Sequence, residues 1–232
     1  MTEEIDAVMF DLGGTLIDLE PTKDVVFHRV LTRQGHKVPL ATVKKIIWEA
    51  EKKFDKDFAD LDGVNEERFW KKFDKHVLEA VEFKGDASDF AKEVSAVFEH
   101  IIPNVKSWIA YDDVFPILDD LKARDFRLGL ISNATSLARR VSDHLGLSKY
   151  FETIVISDEV GFRKPDKRIF RLAAKNVNLA PNRIIYVGDK FEVDVVGAKK
   201  AGMNSILLDR MGIFPDAHCI RIRTLKALSR YL

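Results

Sequence analysis

Five short apolar runs separated by helix-like sequence limit what this chain can fold into more than any other feature. They are Ile5 to Phe10, Phe126 to Ile131, Thr153 to Ile156, Arg183 to Val187 and Ser205 to Leu208, each rich in Ile, Val or Leu. Runs this short with so little polar content read as buried strands. Their alternation with helical sequence predicts βαβ units and an α/β fold with a mainly parallel sheet.

Between Pro21 and Trp108 the texture changes. Apolar residues recur at helical spacing (Val25, Val26, Val30; Ile46, Ile47; Phe54, Phe58; Phe69, Trp70, Phe73, Val77) among many Lys and Glu, with no strand-like run. The spacing predicts an all-helical insert of four helices, which divides the chain into a core of residues 1–18 and 109–232 and a helical cap of residues 19–108. Gln34-Gly35 and Val38-Pro39 are read as closing the first helix, Asp62-Gly63 the second and Gly85-Asp86 the third, because Gly and Pro stop helices and Asp caps them. Pro165 is read as the first-turn proline of a helix that runs to Asn176.

Composition narrows the function classes. The 232 residues are 46% hydrophobic and 32% charged, enough apolar material for a packed core. Lys plus Arg and Asp plus Glu are both 37, so no net field steers the chain toward nucleic acid or an anionic membrane, and an anion site has to be local. The single cysteine, Cys219, has no internal disulfide partner. Together with a start, Met1-Thr2-Glu3-Glu4, unlike a signal peptide, and no apolar run of membrane-spanning length, this points to a cytoplasmic protein.

Open parallel sheets bind ligands beyond the carboxyl ends of their strands. Read there, the chain offers Asp11, Gly13, Gly14 and Thr15 after the first strand and Ser132 and Asn133 after the second. Lys164 lies in the loop after the third, and Gly188, Asp189 and Asp194 follow the fourth. Taken singly, each has an ordinary explanation as a turn, a helix cap or a solvated lysine. Converged on one edge, three carboxylates, a lysine, two hydroxyls and an amide suit a divalent cation and a phosphate. Hard oxygen donors favour Mg²⁺, Lys164 balances charge, and Thr15, Ser132 and loop N–H groups hold phosphate oxygens.

The run Asp11-Leu12-Gly13-Gly14-Thr15-Leu16, then Ser132-Asn133, Lys164-Pro165, and Gly188-Asp189 through Asp194 with Gly197-Ala198 and Ala201-Gly202-Met203, resembles the four ordered motifs of the haloacid dehalogenase superfamily. The resemblance spans nearly the whole chain. It implies a Rossmann-like core, a helical cap inserted after the first motif, and phosphoryl transfer through an aspartyl phosphate. By the same resemblance Asp11 is the nucleophile, and Asp11, the Gly13 carbonyl and Asp189 bind Mg²⁺ with Asp194 as a direct or water-mediated ligand. Thr15, Ser132, Asn133 and Lys164 then position the phosphoryl group of a small phosphorylated metabolite.

One departure bears on the chemistry. Phosphatases of the superfamily usually carry Asp two residues after the nucleophile as general acid and base, and here the residue is Gly13. Positioned acid–base catalysis is worth roughly 10²–10⁴-fold, so leaving groups of low pKa, such as sugar 1-phosphates, acyl phosphates or aryl phosphates, are favoured. Lys190 and Val193 also depart from the common pattern, and Lys190 is placed to pair with Asp189 or Glu192. Two other readings compete: a catalytically weak phosphate- or partner-binding protein, and a 2-haloacid dehalogenase, which has no use for a metal site at Asp189 and Asp194.

Overall fold

The structure, a computed structural model, describes residues 4–60 and 65–232. The chain divides into two compact units, Met1–Asp18 with Trp108–Leu232, and Leu19–Ser107. In order, the elements are β1 (Ala7–Phe10), β2 (Ile17–Leu19), α1 (Lys23–Arg33), α2 (Leu40–Lys53), α3 (Asp55–Ala59), α4 (Glu66–Ala80), α5 (Ala87–Ile101), β3 (Trp108–Ala110) and α6 (Val114–Ala123). They continue with β4 (Arg127–Ser132), α7 (Leu137–His144), β5 (Thr153–Ile156), α8 (Ser157–Val160), α9 (Lys167–Asn176), β6 (Ile184–Gly188), α10 (Gly197–Ala201), β7 (Asn204–Leu208) and β8 (Ile220–Ile222).

In the larger unit, six strands form one sheet in the order β5-β4-β1-β6-β7-β8, with every pairing parallel. This is a Rossmann-like α/β core, and the five apolar runs supply five of its strands. Central β1 has no exposed residue, which is why its sequence is unbroken apolar rather than alternating. Phe10 pairs with Leu130 on one side and Val187 on the other, so the chain after β1 emerges between the ends of β4 and β6. Three strands lie outside those runs. β8 adds a short edge strand, and β2 pairs with β3 as a separate ladder. Strands of three residues carry too little pattern to be read from sequence.

The smaller unit is helical and has its own core, in which Phe27 meets Phe90 edge-on at 5.5 Å and Phe73 at 6.4 Å, with Val30, Leu31, Val43, Ile47 and Val77 packed around them. Among the described residues it holds five helices rather than four, because α2 ends at Lys53 and the short α3 follows. The break expected at Asp62-Gly63 lies outside the described residues, as do Met1, Thr2 and Glu3. Asp86 caps α5, accepting from the N–H groups of Ser88 and Asp89.

The helix after Lys164 starts later than expected. Asp166 is its N-cap, accepting from the N–H of Arg168, and the helix runs from Lys167 to Asn176. Pro165 therefore precedes the cap instead of occupying the first turn, because the Asp side chain satisfies the orphan amides that define the start. Among the described residues no helix is long and apolar enough to cross a membrane.

Candidate active site

Asp11 is buried where β1 ends, and its amide donates to the Val187 carbonyl at 2.9 Å, which anchors the loop to β6. The loop then doubles back. Gly14 takes φ +78 and its N–H donates to the Ile17 carbonyl at 2.8 Å, a backbone path that favours glycine. The turn brings Thr15 Oγ1 to 3.5 Å from Asp11 Oδ2 and 3.4 Å from Asp189 Oδ1.

Lys164 arrives from the loop after α8 and is 2% exposed. Its Nζ donates to Asp11 Oδ1 at 2.6 Å, Asp194 Oδ1 at 2.7 Å and Tyr186 Oη at 2.8 Å. Asn133 holds the backbone of the same residue from both sides. Its Nδ2 donates to the Lys164 carbonyl at 2.8 Å and its Oδ1 accepts from the Lys164 N–H at 2.7 Å. Asp194 sits in a π-helical turn, Phe191–Val196, and is fully buried. Such turns recur at functional sites because the wider coil re-aims a side chain. The Lys190 N–H donates to Asp194 Oδ2 at 3.0 Å, and Gly188 is needed because the Asp194 carboxyl occupies the space a Cβ would fill.

Burial, reinforced by Asp194 and Asp189, pushes Asp11 up to about 7 despite the nearby Lys164 ammonium. Burial pulls the Lys164 amine down, but Asp11 and Asp194 more than offset it and hold its pKa above the ordinary lysine value. Lys190 Nζ lies 3.4 Å from Asp189 Oδ2, so the expected pairing with Asp189 is present. Asp11, Asp189 and Asp194 each offer an oxygen within 4.8 Å of the others. An all-oxygen anionic donor set at that spacing fits Mg²⁺, whose charge would offset both the burial and the neighbouring carboxylates that raise Asp11.

Asp11, Thr15, Lys164, Asp189 and Asp194 thus form one hydrogen-bonded group, with Asn133 attached through the Lys164 backbone. Gly13, exposed in the β1 loop, and Ser132, buried at the end of β4, border it at the same sheet edge. Two contributors escaped sequence reasoning. Tyr186 was signalled only by its place as the one hydroxylated residue in the apolar run Ile184-Ile185-Tyr186-Val187. Arg210, just beyond β7, grips Asp113 with both Nη atoms at 2.9 Å, donates from Nη2 to the Thr15 carbonyl at 2.9 Å and lies 4.0 Å from the Tyr111 ring centroid. Nothing in its local sequence marks that contact.

A six-stranded parallel sheet with a buried lysine–carboxylate group at its carboxyl edge defines a Rossmann-like α/β protein with a charged site at the strand ends. The sequence profile of the haloacid dehalogenase-like hydrolases matches residues 5–202, and the chain belongs to that family. Among curated relatives it is 29% identical over 208 residues to the glyceraldehyde 3-phosphate phosphatase of Methanothermobacter thermautotrophicus, covering 88% of this chain and 86% of that one. It is 26% identical over 228 residues to the phosphoglycolate phosphatase of Shigella boydii, covering 88% and 81%. Of solved structures, the HAD-hydrolase YfnB of Bacillus subtilis, crystallised with magnesium, shares the fold with a TM-score of 0.67 at 17% identity, covering 99% of each chain.

Proposed function

We propose that the chain is a Mg²⁺-dependent phosphatase of small phosphorylated metabolites in the cytoplasm, with Asp11 as nucleophile and a preference for good leaving groups. The observation that carries this reading is the buried Lys164 ammonium shared by Asp11 Oδ1 and Asp194 Oδ1, with Asp189 beside them. Such an arrangement holds one carboxylate rigid and aimed while its charge is balanced, and phosphoryl transfer depends mostly on positioning and charge neutralisation. The phosphatase relatives support the same class.

Asp11, Asp189, Asp194 and the Gly13 carbonyl would hold the cation, which when bound neutralises phosphoryl charge and helps align it for attack. Asp11 Oδ2, turned toward Thr15 and away from Lys164, forms the bond to phosphorus as the bond to the leaving oxygen breaks. The leaving oxygen takes its proton from solvent or from the substrate, because Gly13 has none to give. Water then cleaves the aspartyl phosphate, releasing phosphate and restoring the Asp11 carboxylate. Thr15, Ser132 and Asn133 would lie beside the phosphoryl group, Asn133 with its side-chain amide held by the Lys164 backbone.

Phosphate release with Mg²⁺ from an aryl phosphate, sugar 1-phosphates and matched alkyl phosphates, including glyceraldehyde 3-phosphate and phosphoglycolate, tests the reading. Activity that needs Asp11 and Mg²⁺ and favours good leaving groups supports it. Gly13 is also the observation that favours the second reading, a phosphate- or partner-binding protein. Mg²⁺-dependent phosphoryl labelling of Asp11 without turnover would replace the first reading with the second.

A further inference from the structure

We propose that Tyr186 is a positioning residue of this site, its hydroxyl fixing where the Lys164 ammonium stands between Asp11 and Asp194; the catalytic part of the proposal rests on the phosphatase reading above. An ammonium has three N–H donors and no acceptor, and here it meets three acceptors, Asp11 Oδ1, Asp194 Oδ1 and Tyr186 Oη, at 2.6, 2.7 and 2.8 Å. Accepting from Lys164 obliges the hydroxyl to turn its own proton elsewhere. Two acceptors wait for it at 3.2 Å, the Ile131 carbonyl and Asp194 Oδ1. A hydroxyl serves both needs at once, whereas an aliphatic or phenyl side chain serves neither.

The ring is held independently of the hydroxyl. Tyr186 is fully buried and meets Phe170 edge-on at 5.0 Å and 87°, and β6 pins its backbone between Met9 and Ser205. The phenol oxygen is therefore a fixed point, set by the sheet and by α9. Without it, the ammonium is attracted only by two carboxylates on different elements and keeps one buried donor unpaired, so its position relative to Asp11 is no longer determined. When Asp11 forms its bond to phosphorus and loses its charge, Lys164 stays in place because Tyr186 and Asp194 still hold it.

Tyr186→Phe deletes the oxygen and keeps the ring. Measured well below its melting midpoint on an aryl phosphate, the variant is expected to lose about 10–100-fold in kcat, the range typical of groups that orient a first-contact residue, with KM within about twofold of wild type. Val177→Ala, which trims a buried aliphatic side chain of the same hydrophobic cluster, is expected to lower the melting midpoint and keep kcat. A readout independent of turnover is the ¹H–¹⁵N signal of the Lys164 ammonium, assigned by its disappearance in Lys164→Met. A slowly exchanging signal in wild type that is lost in Tyr186→Phe supports the proposal. An unchanged signal, no signal in wild type, or a kcat within about twofold of wild type overturns it. If wild type shows no Asp11-dependent turnover, the phosphatase reading fails, and the ammonium signal alone decides whether Tyr186 positions Lys164.

Discussion

A β-carbon on Gly14 would stand 2.6 Å from Asp189 Oδ2, inside van der Waals contact, although the two residues belong to loops on different strands. The close approach lets the turn after Asp11 and the carboxylate after β6 share one small volume, and it is compatible only with a residue that has no side chain. At φ +78 a β-carbon is disfavoured for backbone reasons as well. Gly14→Ala is therefore expected to displace Asp189. The Mg²⁺ concentration for half-maximal activity should rise by about tenfold or more, with roughly 1–3 kcal/mol lost in stability. Metal titration of activity beside calorimetry checks this, and an unaltered Mg²⁺ requirement would show that Asp189 does not serve the cation.

Gly13 presents the opposite situation. A β-carbon there meets nothing within 4 Å, and its φ lies outside the left-handed region. Gly13→Asp should fold normally and supply the missing proton donor. Turnover of an alkyl phosphate is expected to rise by about 10²-fold while turnover of an aryl phosphate, whose leaving group needs no proton, changes little. The measured quantity is the ratio of kcat/KM for the two substrates in each protein. Equal gains on both would mean that the new carboxyl acts through something other than leaving-group protonation.

Mg²⁺ should stabilise the fold, not only the reaction. Asp11, Asp189 and Asp194 are crowded, and burial together with Asp194 and Asp189 raises Asp11 to about 7. A cation that binds only the folded chain adds about 2.7 kcal/mol at a hundred times its dissociation constant. The melting midpoint is expected to climb with the logarithm of Mg²⁺ concentration, and Asp189→Asn should flatten that slope. A wild-type midpoint insensitive to Mg²⁺ would argue against a cation at this cluster.

Asp74, on α4 of the helical unit, carries a separate pH signature. Burial raises its pKa to about 6, only partly countered by Lys23. The folded state therefore holds this proton more tightly than the unfolded state, whose carboxyl titrates near 3.8. The stability due to this group is fully present below the unfolded value, falls as pH rises through the folded one, and is flat above it. Asp74→Asn is expected to raise stability at pH 7 by on the order of 1 kcal/mol, after allowing for partial solvation, and to lose that advantage toward pH 4. Melting curves of the two proteins across that range test the sign, and a gain that grows on acidification would contradict it.

The legible part of the site came from short-range chemistry. Asp11 and Gly14 announce a strand that ends in a tight turn, and Gly188-Asp189 announces another, because a loop that must turn sharply uses Gly and Asp whatever lies around it. The Lys190–Asp189 pair of chain neighbours was readable, but not which side chains distant in sequence meet. Lys164 and Asp11 are 153 positions apart, and their ion pair exists because β1 lies between β4 and β6 while the loop after β5 folds back over that edge. Asn133 illustrates the same gap. Its type and place suit a phosphoryl contact, yet its amide clamps the Lys164 backbone through two hydrogen bonds.

Local order was therefore in the amino-acid sequence by itself: buried strands alternating with helices, a helical insert after the first strand, and the acidic, basic and hydroxyl residues at the strand ends. Periodicity, turn chemistry and capping act over a few residues, so they survive without knowledge of the rest of the chain. The tertiary structure alone decided the sheet order, the edge strand β8, the hold of Arg210 on the Thr15 carbonyl, and the phenol of Tyr186 as third acceptor of the Lys164 ammonium. Each of these satisfies a buried polar group or backbone edge with a partner distant in sequence. Such partners are selected only when the whole core closes and no water is left to take their place.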